Sequence, residues 1–153
     1  MDQLTASGGV PYESTYPYNP SVTYTGICSA SGVRVGYEEI NYYNLDDNQL
    51  ITLLQTEPVA IAVASGGWSS YSTGVFSCAS NAAIDHAVLL VGYTETYWII
   101  KNQWGSSWGM AGYIHVSRTQ GSNCGIGATA HVLGESYTRM LALLTLFVFA
   151  LFI

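Results

Sequence analysis

Apolar residues recur along this chain with two kinds of spacing, one typical of a helix and the other typical of strands. Leu50, Leu53 and Leu54 fall on one face of a helix, and Asn and Asp residues just ahead of them can cap it. We therefore expect one helix over residues 48–56. Pro58 ends it, because proline cannot continue the backbone hydrogen bonds.

Five segments have the alternating or compact apolar pattern of strands: 33–43, 59–64, 87–93, 97–101 and 112–117. Short connections between consecutive strands favour antiparallel pairing. Residues 1–27 are rich in turn-forming Gly and Pro and predict an irregular surface run, and the Gly-Gly-Trp segment at 66–68 predicts only a turn. The pattern as a whole predicts an α+β fold, with one early helix followed by a strongly twisted antiparallel sheet or half-barrel.

The last fourteen residues, 140–153, are almost wholly apolar and depart from this pattern. As a helix they would rise about 21 Å, less than the roughly 30 Å of a hydrocarbon core. A processed lipid-anchor signal fits that length, with a polar spacer ahead of it. Membrane association by anchor or short span, a buried helix, and a wrongly ended gene model all stay open. We expect one domain over residues 1–133 and a spacer with an apolar tail over 134–153.

The chain carries little charge, and this limits the kinds of partner it can bind. Only 9% of the residues are charged and the net charge is -6. Four Lys and Arg residues cannot neutralise a row of phosphates, which argues against a nucleic-acid partner. The three cysteines, Cys28, Cys78 and Cys124, lack metal-ligand spacing, so we expect no metal site. Their odd number predicts one disulfide and one cysteine that pairs outside this chain, if the compartment is oxidising.

Two segments carry candidate chemistry. Asp85-His86-Ala87 stands at the start of one apolar strand. Asn102 follows the end of the next strand, in the run Lys-Asn-Gln-Trp-Gly-Ser-Ser-Trp-Gly. Neighbouring strands can place this imidazole beside this amide. Such a pair activates a thiol, because the imidazole takes the proton and the amide oxygen holds the ring and its tautomer. His86 by itself would be explained equally well as a structural core histidine.

These segments resemble the histidine and asparagine motifs of papain-family cysteine peptidases, and they are close to cathepsin L-like members. The resemblance is strongest over 84–93 and 97–109 and extends over roughly residues 8–133. One departure is Gln103, where the family usually has Ser. The resemblance implies the papain-like cysteine proteinase fold, of which this chain would hold mainly the antiparallel β-sheet lobe with one short helix.

The resemblance also implies roles for individual residues. His86 would be the general base and imidazolium partner, and Asn102 would orient it. Trp104 would shield their hydrogen bond from water, with Trp108 supporting the same wall. Cys78 and Cys124 would form the disulfide of this lobe, and Cys28 would pair with a cysteine in a missing N-terminal lobe. Three free buried thiols are the alternative.

A peptide-binding surface follows from the same resemblance. The subsite for the side chain second before the scissile bond would be lined by Ala62, Ile84, Ala87 and Thr129. All four are uncharged, which predicts a preference for Leu, Val or Phe over Arg. Asp85 and Trp104 would line the leaving-group side.

The nucleophile that this pair would serve has no counterpart in the sequence. In the family it stands in a C-G-[SA]-C-[WY] run about 130 residues or more before the histidine. Counting back from His86 leads ahead of Met1, and Cys28 stands in the unrelated context Gly-Ile-Cys-Ser-Ala. The oxyanion-hole glutamine would also lie upstream. We therefore expect a cysteine-type endopeptidase present as a fragment, inactive alone and poorly soluble because half of a two-lobe interface is exposed.

Two other functions stay open. One is a non-catalytic pseudopeptidase or membrane-tethered binding module that begins at Met1, and the other is a different Cys-His enzyme such as an acyltransferase. The resemblance implies a protein or peptide substrate, no metal or organic cofactor, and a lysosomal, vacuolar or extracellular location. Anchoring through 140–153 would place the chain at a membrane there.

Overall fold

A computed structural model describes residues 10–12, 14–17, 34–35 and 37–135. Residue contacts divide the chain into two compact units, one of them Ile40–Val132 and the other the flanking segments Met1–Glu39 and Leu133–Ile153. Most of the predicted spacer and tail, and Cys28, lie outside the described residues. No helix among those described is long and apolar enough to cross a membrane.

The described residues form one α-helix, α1 (Asp47–Leu54), a short 3₁₀ turn (Trp68–Ser70) and nine strands. The strands are β1 (Val10–Pro11), β2 (Arg34–Val35), β3 (Tyr37–Tyr43), β4 (Val59–Val63), β5 (Val75–Phe76), β6 (His86–Tyr93), β7 (Tyr97–Lys101), β8 (Tyr113–Ser117) and β9 (Thr129–Glu135). β1 and β2 make an antiparallel ribbon, and the other seven make one sheet in the order β3-β9-β4-β6-β7-β8-β5. The predicted α+β class is confirmed, and the described residues contain one early helix as predicted.

The prediction of an all-antiparallel sheet is wrong at one edge. β5 pairs with β8 in parallel, through Val75 beside His115 and Phe76 beside Val116. The argument from short connections does not apply to this pair, because β6 and β7 lie between the two strands along the chain. The pairs β4–β6, β6–β7 and β7–β8 are antiparallel as predicted.

Helix α1 begins one residue earlier than predicted because Asp46 is its N-cap. The Asp46 carboxylate accepts from the backbone N–H of Gln49 at 2.9 Å, and the Gln49 side chain accepts from the Asp46 N–H at 2.9 Å. A reciprocal cap of this kind stabilises a helix by about 1 kcal/mol. The helix ends at Leu54, and the residues after it form turn hydrogen bonds to the carbonyl of Leu53.

The two faces of β4 and β6 differ, and this difference positions the candidate site. Val59, Ile61 and Val63 are buried and lie opposite Leu90, Val88 and His86 in the core-facing row. His86 therefore lies at the end of a row of core residues. The alternate residues of both strands, including Ala62 and Ala87, lie on the other face, because side chains alternate along a strand.

Several elements were missed by the sequence patterns: β1, β5, β9 and the 3₁₀ turn. β9 follows a glycine-rich run in which a Cβ atom at Gly127 would overlap the carbonyl oxygen of Leu45. That close approach requires glycine. The glycine-rich run lacks an apolar pattern, so the strand that follows it was not predicted. Trp68, expected in a simple turn, is fully buried. The predicted strand over 33–43 is described as the two strands β2 and β3.

Candidate active site

The hairpin of β6 and β7 brings His86 and Asn102 together. His86 is the first residue of β6, and Asn102 directly follows β7. Leu89 is the register partner of Lys101, so the start of β6 lies beside the end of β7. His86 Nε2 lies 3.0 Å from Asn102 Oδ1. Asn102 is only 5% exposed and His86 is half-buried, so solvent competes little for this hydrogen bond.

The hydrogen bonds of Asn102 fix the tautomer of His86. The backbone N–H of Gln103 donates to the same Oδ1 atom at 2.9 Å. A backbone N–H can only donate, so the atom between the two groups is the oxygen, and His86 Nε2 must carry a proton. In the neutral ring Nδ1 then holds the free lone pair. Nδ1 has no hydrogen-bond partner within the described ranges, so it is available as a base.

Two tryptophans contact the imidazole, and a third packs against both of them. The Trp104 ring centroid lies 5.2 Å from that of His86, and the Trp68 ring meets it edge-on at 6.1 Å. Trp108 contacts Trp104 at 5.0 Å and donates its Nε1 proton to the Trp68 carbonyl at 3.0 Å. Trp104 is 40% exposed, and its shielding of the His86–Asn102 bond and its contact with a substrate stay predictions. The contribution of Trp68 was missed, although tryptophan is on average a highly buried residue.

Asp85 holds a negative charge next to His86. Its carboxylate accepts from the Ser65 N–H at 2.8 Å and from the Ser65 hydroxyl at 2.9 Å. These two bonds, with a smaller contribution from His86, lower the pKa of Asp85 below its ordinary value of 3.8. The Asp85 N–H donates to the Val63 carbonyl, which ties this residue to the end of β4. Contact of Asp85 with a substrate stays a prediction.

Three of the four predicted subsite residues form a row across the sheet. Ala62 and Ala87 are register partners in β4 and β6. On the other side of β4, Ile61 pairs with Ala130, so Thr129 stands next to Ala62. The fourth, Ile84, is 45% exposed and lies over Gly125, which has no side chain to displace it. The row therefore presents short, uncharged side chains beside the histidine strand.

An open groove of about 340 Å³ lies next to Asn102, on the face of the sheet away from the core. Its walls include Ala60, Ala87, Leu89, Lys101 and Gln103. The Nδ2 atom of Asn102 is buried and has no hydrogen-bond partner among the described residues. A buried amide donor without an acceptor costs roughly 1–3 kcal/mol. The groove thus offers an open apolar surface next to a residue whose amide donor is buried.

Cys78 and Cys124 form a disulfide across 46 residues. It joins the loop that leads to the histidine strand to the loop that leads to β9. The Ala64 N–H donates to the Cys124 carbonyl and the Cys78 N–H to the Ser122 carbonyl, so backbone bonds flank the bridge. Neither cysteine of the described part is therefore a free thiol. The same residues contain no cluster of three or more His, Cys, Asp or Glu side chains that could hold a metal ion.

A family model described as "Papain family cysteine protease" matches residues 1–133. The chain belongs to the papain family of cysteine proteases. Cysteine proteinase 1 of Dictyostelium discoideum is 34% identical, over 80% of this chain and 39% of its own length. Digestive cysteine proteinase 3 of Homarus americanus is 35% identical, over 84% and 42%. The chain spans about two-fifths of the length of these curated relatives.

Solved structures of papain-family proteases share the fold. A Carica candamarcensis cysteine protease in complex with E-64 superposes with a TM-score of 0.72 at 32% identity, over 88% of this chain and 66% of that one. Procathepsin L2 of Tenebrio molitor superposes with a TM-score of 0.69 at 33% identity, over 87% and 45%. The predicted family and the papain-like β lobe are confirmed.

Proposed function

We propose that this papain-family chain supplies the histidine and asparagine of a cysteine-type endopeptidase. The observation that carries the proposal is the hydrogen bond from His86 Nε2 to Asn102 Oδ1, which leaves Nδ1 unengaged. A ring held in this way can accept a thiol proton at Nδ1 while its Nε2–H continues to donate to the amide oxygen. Relatives named as cysteine proteinases in two organisms support the same chemistry.

The proposed reaction uses His86 in both steps, formation of the thioester and its hydrolysis. Nδ1 takes the proton of the nucleophile thiol, and the resulting imidazolium stabilises the thiolate. The thiolate sulfur attacks the peptide carbonyl carbon, and Nδ1–H then protonates the departing amine as the C–N bond breaks. A water molecule, deprotonated by the same nitrogen, hydrolyses the thioester and restores the thiol. Asn102 keeps the ring in place through both steps.

The thiol itself must come from outside the described part of the chain. Cys78 and Cys124 are joined to each other, and Cys28 lacks the sequence context of the family's nucleophile. We place the nucleophile and the oxyanion-hole glutamine in a complementary lobe, which makes this chain a fragment that is inactive alone. The groove beside Asn102 supports such a lobe, since an open apolar surface of this kind is one that a second lobe would cover.

The substrate of the completed enzyme would be a peptide with Leu, Val or Phe second before the scissile bond. The row of Ala62, Ala87 and Thr129 offers no carboxylate to an arginine side chain. The disulfide supports an oxidising compartment, such as a lysosome, vacuole or the extracellular space. Attachment to a membrane through 140–153 remains a prediction about residues outside those described.

A binding module without catalysis is the second candidate. The lack of a free thiol among the described residues favours it, because such a protein would keep the subsite row and perform no chemistry. A held tautomer with a free Nδ1 gives a binding module no advantage, which is why we rank the peptidase first.

Reconstitution tests the two candidates. The chain is refolded with the cysteine-bearing lobe of the Dictyostelium relative, and hydrolysis of Phe-Arg and Arg-Arg substrates is measured. We expect activity only when both parts are present, a preference for Phe-Arg, and a loss of at least about a thousandfold in His86→Ala. Activity that persists in His86→Ala would refute the peptidase assignment. A folded complex that binds peptide but hydrolyses none would favour the binding module.

A further inference from the structure

One side chain joins the two segments that carry His86 and Asn102. Gln103 Nε2 donates to the carbonyl oxygen of Ala87 at 3.2 Å, and its backbone N–H donates to Asn102 Oδ1 at 2.9 Å. Gln103 thus contacts the amide of the pair directly and the backbone immediately after the imidazole. It is also the position where this chain departs from the serine usual in the family.

The register of the hairpin explains why a glutamine fits there. Leu89 pairs with Lys101, and two more residues of the same register would place Gln103 opposite Ala87. The strand pairing stops before that point, because the Gln103 N–H turns to Asn102 Oδ1. The side-chain amide of Gln103 reaches the Ala87 carbonyl instead. It replaces the backbone bond that the Asn102 side chain has displaced.

The consequence concerns the orientation of the Asn102 amide. If that amide were reversed, its NH₂ group would face His86 Nε2 and would require the opposite tautomer, with the proton on Nδ1. Nδ2 of Asn102 has no partner within the described ranges, so its orientation depends on the two donors that meet at Oδ1. One of those donors is the backbone N–H of Gln103.

We propose that Gln103 is a positioning residue that holds His86 in the Nε2–H tautomer by anchoring the loop that carries Asn102. A serine hydroxyl at this position would end two atoms closer to the backbone and would not reach the Ala87 carbonyl. The catalytic meaning of this role rests on the proposed function, but the tautomer itself does not. It exists in the chain with or without a nucleophile.

The test uses the full chain with ¹⁵N-labelled histidine. Two-bond ¹H–¹⁵N correlation spectra give the tautomer of each imidazole, and the His86 signals are identified by their loss in His86→Ala. Gln103→Met keeps the length of the side chain and removes the donor. Lys101→Met is the matched control, because Lys101 is exposed in the same groove and makes no contact with Asn102 Oδ1.

We expect the Nε2–H form to dominate in the wild type and the Nδ1–H fraction to rise about fivefold in Gln103→Met, since one hydrogen bond of ordinary strength is lost. Lys101→Met should leave the ratio unchanged. A purely structural role would lower the melting temperature of Gln103→Met without moving the ratio in the folded protein, and that result would overturn the proposal. If Gln103→Met does not fold, Gln103→Ser provides the same comparison.

The proposal and the proposed function can fail separately. A tautomer shift in Gln103→Met together with an inactive wild-type complex would refute the peptidase function and support the role of Gln103. If the complex is active but the tautomer ratio of His86 is the same in wild type and Gln103→Met, only the role of Gln103 is refuted.

Discussion

His86 Nε2 and Asn102 Oδ1 lie 3.0 Å apart, although the residues are 16 positions apart in the sequence. The hairpin of β6 and β7 makes this possible, since one residue begins the first strand and the other follows the second. The bond has a direction, because the Gln103 N–H meets the same oxygen. It leaves Nδ1 as the basic nitrogen, and each prediction about catalysis depends on that assignment.

Replacing Asn102 by Ala should weaken catalysis in the reconstituted enzyme more than it weakens substrate binding. The imidazolium would lose a buried hydrogen bond to a charged group, worth about 1.5–3 kcal/mol. We expect kcat/KM to fall about 10- to 100-fold, mainly in kcat, as measured with a Phe-Arg substrate. Ser72→Ala, in an exposed loop away from the groove, is the control. Equal losses in the two variants would contradict the role given to Asn102.

The bonds from Ser65 to Asp85 should make stability depend on pH in the acid range. Because they lower the pKa of Asp85, the stability they provide is complete above its ordinary value of 3.8 and is lost as pH falls through the lowered pKa. Ser65→Ala should reduce the melting temperature at pH 6 and show a smaller further fall at acid pH. Ser72→Ala, in an exposed loop, is the control. Since Ser65→Ala keeps the backbone N–H bond, parallel curves for wild type and Ser65→Ala would show that the hydroxyl bond does not couple to folding.

The disulfide between Cys78 and Cys124 should stabilise the lobe measurably. Closing a loop of this length typically contributes about 2–4 kcal/mol. The double variant Cys78→Ala with Cys124→Ala should therefore unfold at lower denaturant concentration than the wild type. Reductant should bring the wild type close to the double variant. A large effect of reductant on the double variant itself would point instead to Cys28.

The uncharged subsite row predicts a change of specificity from one substitution. Ala87 is exposed at the edge of the row, so Ala87→Glu would place a carboxylate there without burying it. We expect the ratio of Arg to Leu preference at the second position before the scissile bond to rise about tenfold, since a hydrogen bond to a charged group is worth about 1.5–3 kcal/mol. Ala87→Gln has the same shape without the charge and should leave the ratio unchanged. No change in Ala87→Glu would separate the row from substrate recognition, and an equal rise in both variants would show that the charge is not the cause.

Much of the sheet could be predicted because its strands have strong local patterns. β7, Tyr97–Lys101, was predicted with its correct ends, since a compact apolar run follows a polar turn. β9 was missed because it follows a glycine-rich run, in which Gly127 allows a close approach to Leu45. The parallel pairing of β5 with β8 joins segments far apart in the sequence, so no local pattern predicts it.

In the candidate site, too, some features could be predicted from the sequence and others could not. His86 and Asn102 stand in recognisable motifs at the ends of predicted strands, so their proximity followed from hairpin geometry. The contact of Asp85 with Ser65 joins loops 20 residues apart, and the bond of Gln103 to Ala87 depends on where the strand pairing stops. Neither could be predicted without the register. The edge contact of Trp68 with the imidazole depends on core packing in the same way.

The most direct test of the central claim is the pH dependence of alkylation of the nucleophile thiol in the reconstituted complex. A thiol paired with the imidazolium of His86 should react with a small alkylating agent down to about pH 4, because such a pair lowers the thiol pKa by several units. In His86→Gln the reaction should fall away below about pH 8, as it does for an ordinary thiol. The same profile in wild type and His86→Gln would show that His86 does not activate the nucleophile.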